Sequence, residues 1–248
     1  MVDVSTIALW AHPRAISTAF LRMMIERGDL TVVHEPLVTL TDSGKLELPD
    51  TDGGTVTVHD TGAVLAQFAA LARDRTVFFK DTLEYRYDYL FEHPDEIAGI
   101  RHTFIVREPA AAIASHHAVK PEVTSPEIGY EHQFELFSLA WQATGQRPVV
   151  ISAERLLTDP AGMIAAYCAE VDLPYLPHAL HWEPGELREW QPGRRWHLDV
   201  IDSSGFRLPT KEYAVTVHND DRLRSYYDHH RPFYERLIEH EIEPKENP

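Results

Sequence analysis

The sequence has a single cysteine, Cys168, in its 248 residues, so it cannot form an intramolecular disulfide. The first residues, MVDVSTIALWAHPR, lack the basic and then apolar order of a secretory signal, and we therefore expect a cytoplasmic protein. No apolar run approaches the roughly 18 residues that a membrane-spanning helix needs, because the best candidate, AVLAQFAALA, is interrupted by Gln67. We expect neither a disulfide framework nor a membrane partner.

Basic residues are also scarce, with 23 Lys and Arg against 39 Asp and Glu, which gives a formal net charge of −16. A field of this sign repels a phosphate backbone, so we expect no nucleic-acid partner. An anionic ligand must then be bound by a local cluster of cations, and the arginines and lysines near motifs become the candidates. The sequence does not indicate an oligomeric state.

Motifs for metal binding and for Mg-ATP chemistry are missing too. The 15 histidines include no HExxH pattern, and the doublets at 116–117 and 229–230 point adjacent side chains in different directions on a helix. We therefore predict no metal site. The pattern GxxxxGK[ST] is absent as well, which argues against the usual ATP-dependent reactions.

Short β-rich runs alternate with helical patterns, which is typical of βαβ units and a parallel sheet. The predicted strands are 6–11, 30–34, 76–80, 103–106 and 148–152, and turn formers at 41–60 indicate a small hairpin. The predicted helices are one near residue 20 and those at 62–73, 110–119, 130–144, 160–170 and 220–241. We expect one α/β domain over 1–248, an open parallel sheet flanked by helices at 1–173 and an irregular and helical C-terminal cap at 174–248.

The first candidate motif is AHPRAISTAF, which joins the first predicted strand to the first helix. A strand-loop-helix junction points loop N–H groups and a helix N-terminus at one place, and Arg14 with the hydroxyls of Ser17 and Thr18 completes an anion site. The alternative is an ordinary turn in which Ser17 caps the helix.

The second candidate motif is FIVREPAAAIASHH at 104–117. Arg107 lies at the carboxyl end of the fourth predicted strand, and Ser115 follows about two turns into the next helix. An arginine and a serine in these places can bind one phosphate from two sides. The alternative for Arg107 is a surface ion pair.

The two motifs together resemble those of the PAPS-dependent sulfotransferase superfamily, and the run from WAHPRAISTAF to HEP is similar to a bacterial branch of it. In that superfamily a loop P-[KR]-S-G-[ST]-T binds the 5′-phosphosulfate of 3′-phosphoadenosine 5′-phosphosulfate (PAPS), and R-x-P-x5-S binds its 3′-phosphate. The resemblance implies a P-loop-like fold, PAPS as co-substrate, no metal, and sulfuryl transfer to a hydroxyl of a small molecule. It assigns the 3′-phosphate to Arg107 and Ser115, and the phosphosulfate to Arg14, Ala15, Ile16, Ser17 and Thr18.

The sequence departs from the family pattern at three places. Ile16 replaces the loop glycine, which removes a permissive backbone position. Ala153 stands where many members have a tyrosine. Lys80 in FFKDT matches the lysine that assists the transferring group, but Asp81 and Thr82 follow it where the small-molecule branch has its basic histidine.

The general base must then lie elsewhere. Other branches use a glutamate just after the second strand, where this sequence has Glu35 in VVHEPL. His34 is the second candidate, since a continuing strand would point it the opposite way, and Asp81 is the third. A carboxylate base needs a desolvated site that raises its pKa toward neutrality. The alternative for Glu35 is a solvated loop carboxylate.

Ligands of open α/β sheets bind at the carboxyl ends of the strands, where we expect Arg14, Glu35, Lys80 and Arg107 to converge. A late basic segment, GRRWHLDVIDSSGF, matches the region with which the family closes over its nucleotide. The nucleotide-binding candidates in that segment are Arg194, Arg195 and Trp196, and the alternative is a solvated turn. The rival functions are an ATP-dependent kinase on the same scaffold and a nucleotide-binding module without turnover.

Overall fold

The computed structural model describes residues 5–191, 193–208 and 210–245. Its core is a five-stranded parallel sheet with the strand order β2-β5-β1-β6-β7. A separate antiparallel hairpin pairs β3 with β4. The strands are β1 (Thr6–Ala11), β2 (Thr31–His34), β3 (Leu46–Pro49), β4 (Thr55–Val58), β5 (Val77–Thr82), β6 (Ile100–Val106) and β7 (Val149–Ser152). The open parallel sheet expected from the sequence is confirmed, and the hairpin lies inside the turn-rich segment 41–60.

Eleven α-helices within the described residues surround the sheet. They are α1 (Ser17–Glu26), α2 (Pro36–Ser43), α3 (Thr61–Leu71), α4 (Asp88–Glu92), α5 (Pro94–Ile97), α6 (Pro109–Val119), α7 (Tyr130–Thr144), α8 (Ala153–Thr158), α9 (Pro160–Glu170), α10 (Leu198–Ile201) and α11 (Asp221–Ile238). No helix in this described part of the chain has both the length and the apolar character needed to cross a membrane.

The central strand β1 is buried on both faces, which is why it is a nearly continuous apolar run. Ile7 and Leu9 face one apolar cluster together with α1, α8 and α9. Ala8 and Trp10 face a second cluster together with α3 and α7. The alternation follows from the two-residue period of a strand and places helices on both sides of the sheet.

The C-terminal cap is partly irregular, as the sequence indicates. The described residues between 174 and 218 form short 3-10 turns and the four-residue α10, while α11 packs its buried positions Leu223, His230 and Leu237 inward. Asp220 caps α11, because its carboxylate accepts a hydrogen bond of 2.9 Å from the backbone N–H of Leu223. Trp190 is fully buried and anchors the irregular segment.

Candidate active site

The loop between β1 and α1 adopts an unusual backbone conformation. Arg14 and Ile16 both lie in the left-handed region, with φ values of 68° and 61°. Ile16 thus keeps the conformation that the family's glycine would adopt freely, although a β-branched residue is strained there. Neither the backbone nor any side chain of the described residues accepts a hydrogen bond from the N–H groups of residues 15–18. These N–H groups and the uncapped start of α1 leave several backbone donors free, an arrangement whose charge suits an anion.

Arg14 links this loop to two other parts of the chain. Its Nε donates to Oγ of Ser115 in α6 at 2.9 Å, and its Nη1 donates to the carbonyl of Trp196 in the cap at 2.8 Å. Its Nη2 lies 3.3 Å from the carboxylate of Asp199, whose side chain is nearly half exposed. The two sequence motifs and the cap therefore meet at one guanidinium group.

Arg107 is buried and forms no ion pair among the residues that the structure describes, which rules out a surface ion pair for it. Its Nη1 donates to the carbonyl of Arg14 at 3.1 Å. Its backbone N–H donates to Nε2 of His12 at 3.0 Å, and its carbonyl accepts a hydrogen bond of 2.6 Å from the hydroxyl of Tyr130. The end of β6 is thereby fixed against the loop that follows β1.

Lys80 and Glu35 form an ion pair at the carboxyl ends of the adjacent strands β5 and β2. The Lys80 side chain is 1% exposed, and its Nζ donates to Oε1 of Glu35. Burial alone would raise the pKa of Glu35, but the charge of Lys80 and the neighbouring His34 lower that pKa to about 2. Glu35 is therefore ionised, and it is a partly buried partner of Lys80 rather than the solvated loop carboxylate of the alternative.

His34 lies beside this ion pair, with Nε2 at 3.6 Å from Oε2 of Glu35. Its side chain is 8% exposed, its Nε2 has no hydrogen-bond partner among the described residues, and burial lowers its pKa to about 4. A continuing strand would have pointed His34 and Glu35 to opposite faces. Glu35 instead leaves the strand with φ 43°, so both side chains line the same cavity.

Asp81 occupies a different place from the other candidate bases. Its carboxylate is fully buried and does not line the cavity. It accepts hydrogen bonds from the backbone N–H groups of Leu37 at 2.6 Å, Val38 at 3.3 Å and Thr82 at 3.0 Å. Burial raises the pKa of Asp81 to about 8, although these N–H groups oppose that rise. Its contacts are those of a residue that caps the start of α2.

Residues of the cap within 193–208 and 210–213 line one side of the cavity. Arg195 and Trp196 line the cavity, whereas Arg194 pairs with Glu186 at 3.2 Å and does not. His197, which the sequence patterns did not single out, is 4% exposed and places its Nδ1 3.4 Å from Oγ1 of Thr18. It follows directly after the basic GRRW run, so the cluster of positive charge that indicated Arg194, Arg195 and Trp196 could also have indicated His197.

Glu84 is a second residue that sequence reasoning missed. It lines the cavity two residues beyond the end of β5, where the strand-end rule applied to Lys80 would also have found it. Burial, followed by the charge of Glu35, raises the pKa of Glu84 to about 7. No side chain of the described residues pairs with it.

One cavity of about 1310 Å³ joins these groups. Eleven of the predicted site residues line it: Arg14, Ile16, Ser17, Thr18, His34, Glu35, Lys80, Arg107, Ser115, Arg195 and Trp196. Three do not, namely Ala15, Asp81 and Arg194. One end of the cavity is lined by the loop with Arg14, Arg107 and Ser115, and we call it the anion-binding end because these groups suit an anion. The cavity also contains an ion pair that combines an ammonium group with an ionised carboxylate.

A family model described as "Sulfotransferase domain" matches residues 5–239, nearly the whole chain. The chain belongs to the sulfotransferase domain family. The sulfotransferase domain of the Synechococcus PCC 7002 olefin synthase has the same fold, with a TM-score of 0.56 and 14% identity over 92% of this chain and 95% of that one. The sulfotransferase domain from the curacin biosynthetic pathway gives a TM-score of 0.49 at 13% identity, covering 95% and 96% of the two chains. The open parallel sheet flanked by helices is the fold that this chain shares with the olefin synthase domain.

Two curated relatives come from Arabidopsis thaliana. "Branched-chain-amino-acid aminotransferase-like protein 1" is 26% identical over 222 residues, which are 85% of this chain, and "protein 2" of the same name is 25% identical over 215 residues, which are 84%. The matches span only 38% and 37% of those two proteins. This chain therefore corresponds to less than two fifths of the length of these relatives.

Proposed function

We propose that this sulfotransferase transfers a sulfuryl group from PAPS to a hydroxyl of a small-molecule acceptor. The observation that carries the proposal is that one cavity joins the free N–H groups of the loop to the ion pair between the buried Lys80 and Glu35. Sulfuryl transfer, like phosphoryl transfer, depends mainly on positioning and on stabilising charge, and these two features supply both.

The residues at the anion-binding end fit a donor with two anionic groups. The free N–H groups of residues 15–18 suit the 5′-phosphosulfate, and Arg107 with Ser115 suits the 3′-phosphate. The weak contact between Arg14 and Asp199 would be exchanged for one with the donor. The left-handed backbone at Ile16 supports this assignment, since the loop keeps its shape without the family's glycine.

The chemical step is assigned to Lys80 and Glu35. When bound, the donor supplies the sulfuryl group, whose bond to the phosphate oxygen breaks as a bond to the acceptor oxygen forms. Lys80 stays protonated and stabilises the negative charge that develops on the released oxygen. Glu35 accepts the hydroxyl proton at Oε2, the oxygen that Lys80 leaves free. Glu35 is ionised, as this role requires, but its pKa of about 2 is lower than the near-neutral value expected of a carboxylate base, because the effect of burial is outweighed by Lys80 together with His34.

The proposal is tested by offering the protein a panel of hydroxyl compounds with sulfur-labelled PAPS, and separately with γ-phosphate-labelled ATP and Mg²⁺. We expect label transfer from PAPS alone. Lys80→Ala should lower kcat by about 10² to 10³ and leave the donor constant within a few fold. Transfer from ATP alone would indicate a kinase, and tight PAPS binding without transfer would indicate a nucleotide-binding module.

A further inference from the structure

We infer that His34, Glu35 and His197 form a binding site for a divalent transition-metal ion of the Zn²⁺ type. Each residue offers one ligand atom, and these three atoms lie within 4.8 Å of one another. The set comes from the end of β2 and from the cap, so only the folded chain assembles it. This inference goes beyond the proposed sulfuryl transfer, which needs no metal. An ion on Oε2 of Glu35 would occupy the oxygen that the proposed transfer assigns to the hydroxyl proton, so the two uses of this carboxylate exclude each other.

The distance between the facing atoms of His34 and Glu35 suits two ligands of one metal ion. Their facing atoms, Nε2 and Oε2, are 3.6 Å apart, which is too long for a hydrogen bond. Two ligand atoms that each lie about 2.1 Å from a tetrahedral ion are about 3.4 Å apart. The Nε2 atom is buried and has no hydrogen-bond partner among the described residues, an arrangement that a bound ion would satisfy.

His197 completes the site from the other side. Its ring centroid lies 5.1 Å from that of His34, and it stacks on the buried Trp190 at 5.4 Å. Two imidazoles and a carboxylate, with a fourth position open to the cavity, are a donor set that suits Zn²⁺ and its neighbours and not Mg²⁺. The conventional spacing motifs do not detect it, because the two histidines come from distant segments.

Lys80 opposes metal binding, and this gives the site a distinctive property. Its ammonium group bonds the second oxygen of the same Glu35 carboxylate. An ion at Oε2 would face this positive charge, so metal binding and the Lys80–Glu35 pair compete. A bound ion would also connect the cap to β2 through His197 and fix the cap over the cavity.

The site is tested by calorimetry and thermal unfolding of the full chain with Zn²⁺, and with Mg²⁺ as the control ion. We expect Zn²⁺ and not Mg²⁺ to raise the unfolding temperature. His197→Ala should weaken Zn²⁺ binding by more than about a hundredfold, since even indirect partners of a metal site change affinity by 10- to 100-fold. His178→Ala, an exposed histidine of the same cap, should leave Zn²⁺ binding unchanged.

Two further variants keep the test decisive if His197→Ala does not fold. Glu35→Gln preserves the size of the side chain and should weaken Zn²⁺ binding at least tenfold. Lys80→Met should strengthen Zn²⁺ binding by about tenfold or more, because it removes the repulsion between the ammonium group and the ion. Coulomb's law gives an effect of this size even in water for a single and a double positive charge about 5 Å apart. Equal responses to Zn²⁺ and Mg²⁺, equal losses in His197→Ala and His178→Ala, or weaker binding in Lys80→Met would overturn the inference.

Discussion

His12 forms hydrogen bonds with two segments at the anion-binding end of the cavity, Arg107 at the end of β6 and Pro13 in the loop after β1. Its Nε2 accepts a hydrogen bond of 3.0 Å from the backbone N–H of Arg107, and its Nδ1 lies 2.9 Å from the carbonyl of Pro13. Because the Arg107 N–H is the donor, the proton of the neutral ring must be on Nδ1, which donates to Pro13. Burial lowers the pKa of His12 to about 3, so this tautomer persists at neutral pH.

We expect His12→Ala to weaken donor binding at least tenfold and to lower the unfolding free energy by about 1 to 3 kcal/mol, since a buried N–H loses its partner. The matched control is His102→Ala, because His102 is also buried and also makes two hydrogen bonds, to Trp10 and to Ile97. The control should lose stability and keep its affinity for the spent donor, 3′-phosphoadenosine 5′-phosphate. Equal loss of donor affinity in both variants would make His12 merely structural.

At position 16, glycine should leave the protein more stable than alanine does, whereas glycine is usually the more destabilising of the two. Both substitutions remove the contacts that Ile16 makes with the core, but only alanine keeps the Cβ atom that clashes at φ 61°. We expect Ile16→Gly to be more stable than Ile16→Ala by about 1 kcal/mol in denaturant unfolding. Ala19→Gly, in the following helix, should show the ordinary loss of roughly 0.5 to 1 kcal/mol. A more stable Ile16→Ala would mean that the loop is not left-handed.

The sheet and its main helices could be predicted because each carries a local signal. β1 is a short apolar run buried on both faces, and α7 and α9 have the predicted limits. The helix α2 was missed because its signals are not local. Its segment overlaps the turn-rich stretch 41–60, and the carboxylate that caps it belongs to Asp81, which is 44 residues away in the chain.

The strand-end rule predicted that Arg14, Glu35, Lys80 and Arg107 would converge, and all four side chains line one cavity. It could not rank the candidate bases, because their protonation depends on burial and on partners such as Lys80. It also could not find His197, whose position depends on how the cap folds over the core. The irregular cap has no periodic pattern from which such a contact could be read.

Glu84 should make the stability of the protein fall as the pH rises. Burial and the neighbouring Glu35 and Asp42 raise its pKa from 4.5 to about 7, although Lys80 and Lys120 oppose the rise. The folded state therefore binds more protons than the unfolded state between about pH 4.5 and 7, and stability is lost over that window.

We expect Glu84→Gln to be more stable than the unaltered protein by about 1 to 2 kcal/mol at pH 8, and the gain to disappear near pH 4. Urea unfolding across this pH range provides the measurement. Glu47→Gln, an exposed carboxylate of the same cavity wall, is the control and should show no such gain. A pH-independent gain in Glu84→Gln would show that the carboxylate is not desolvated.

Arg107→Ala should weaken binding of 3′-phosphoadenosine 5′-phosphate by about ten- to a hundredfold, the loss of one charge-assisted hydrogen bond. The affinity for AMP, which has no 3′-phosphate, should change much less. Arg101→Ala is the control, because Arg101 is on the same strand β6 and pairs at the surface with Asp172. If both nucleotides lost affinity equally, Arg107 would act only through the backbone of the loop.

The most direct test of PAPS dependence is the thermal shift of the unaltered protein with 3′-phosphoadenosine 5′-phosphate, with AMP and with ATP and Mg²⁺. At a hundredfold excess over the dissociation constant the first ligand should add about 2.7 kcal/mol of stability, or roughly 5 to 11 °C for a chain of this size. AMP and ATP at the same concentration should give much smaller shifts. Equal shifts for AMP and the 3′-phosphorylated nucleotide would contradict the donor site assigned to Arg107 and Ser115, and a larger shift with ATP would contradict the sulfuryl donor itself.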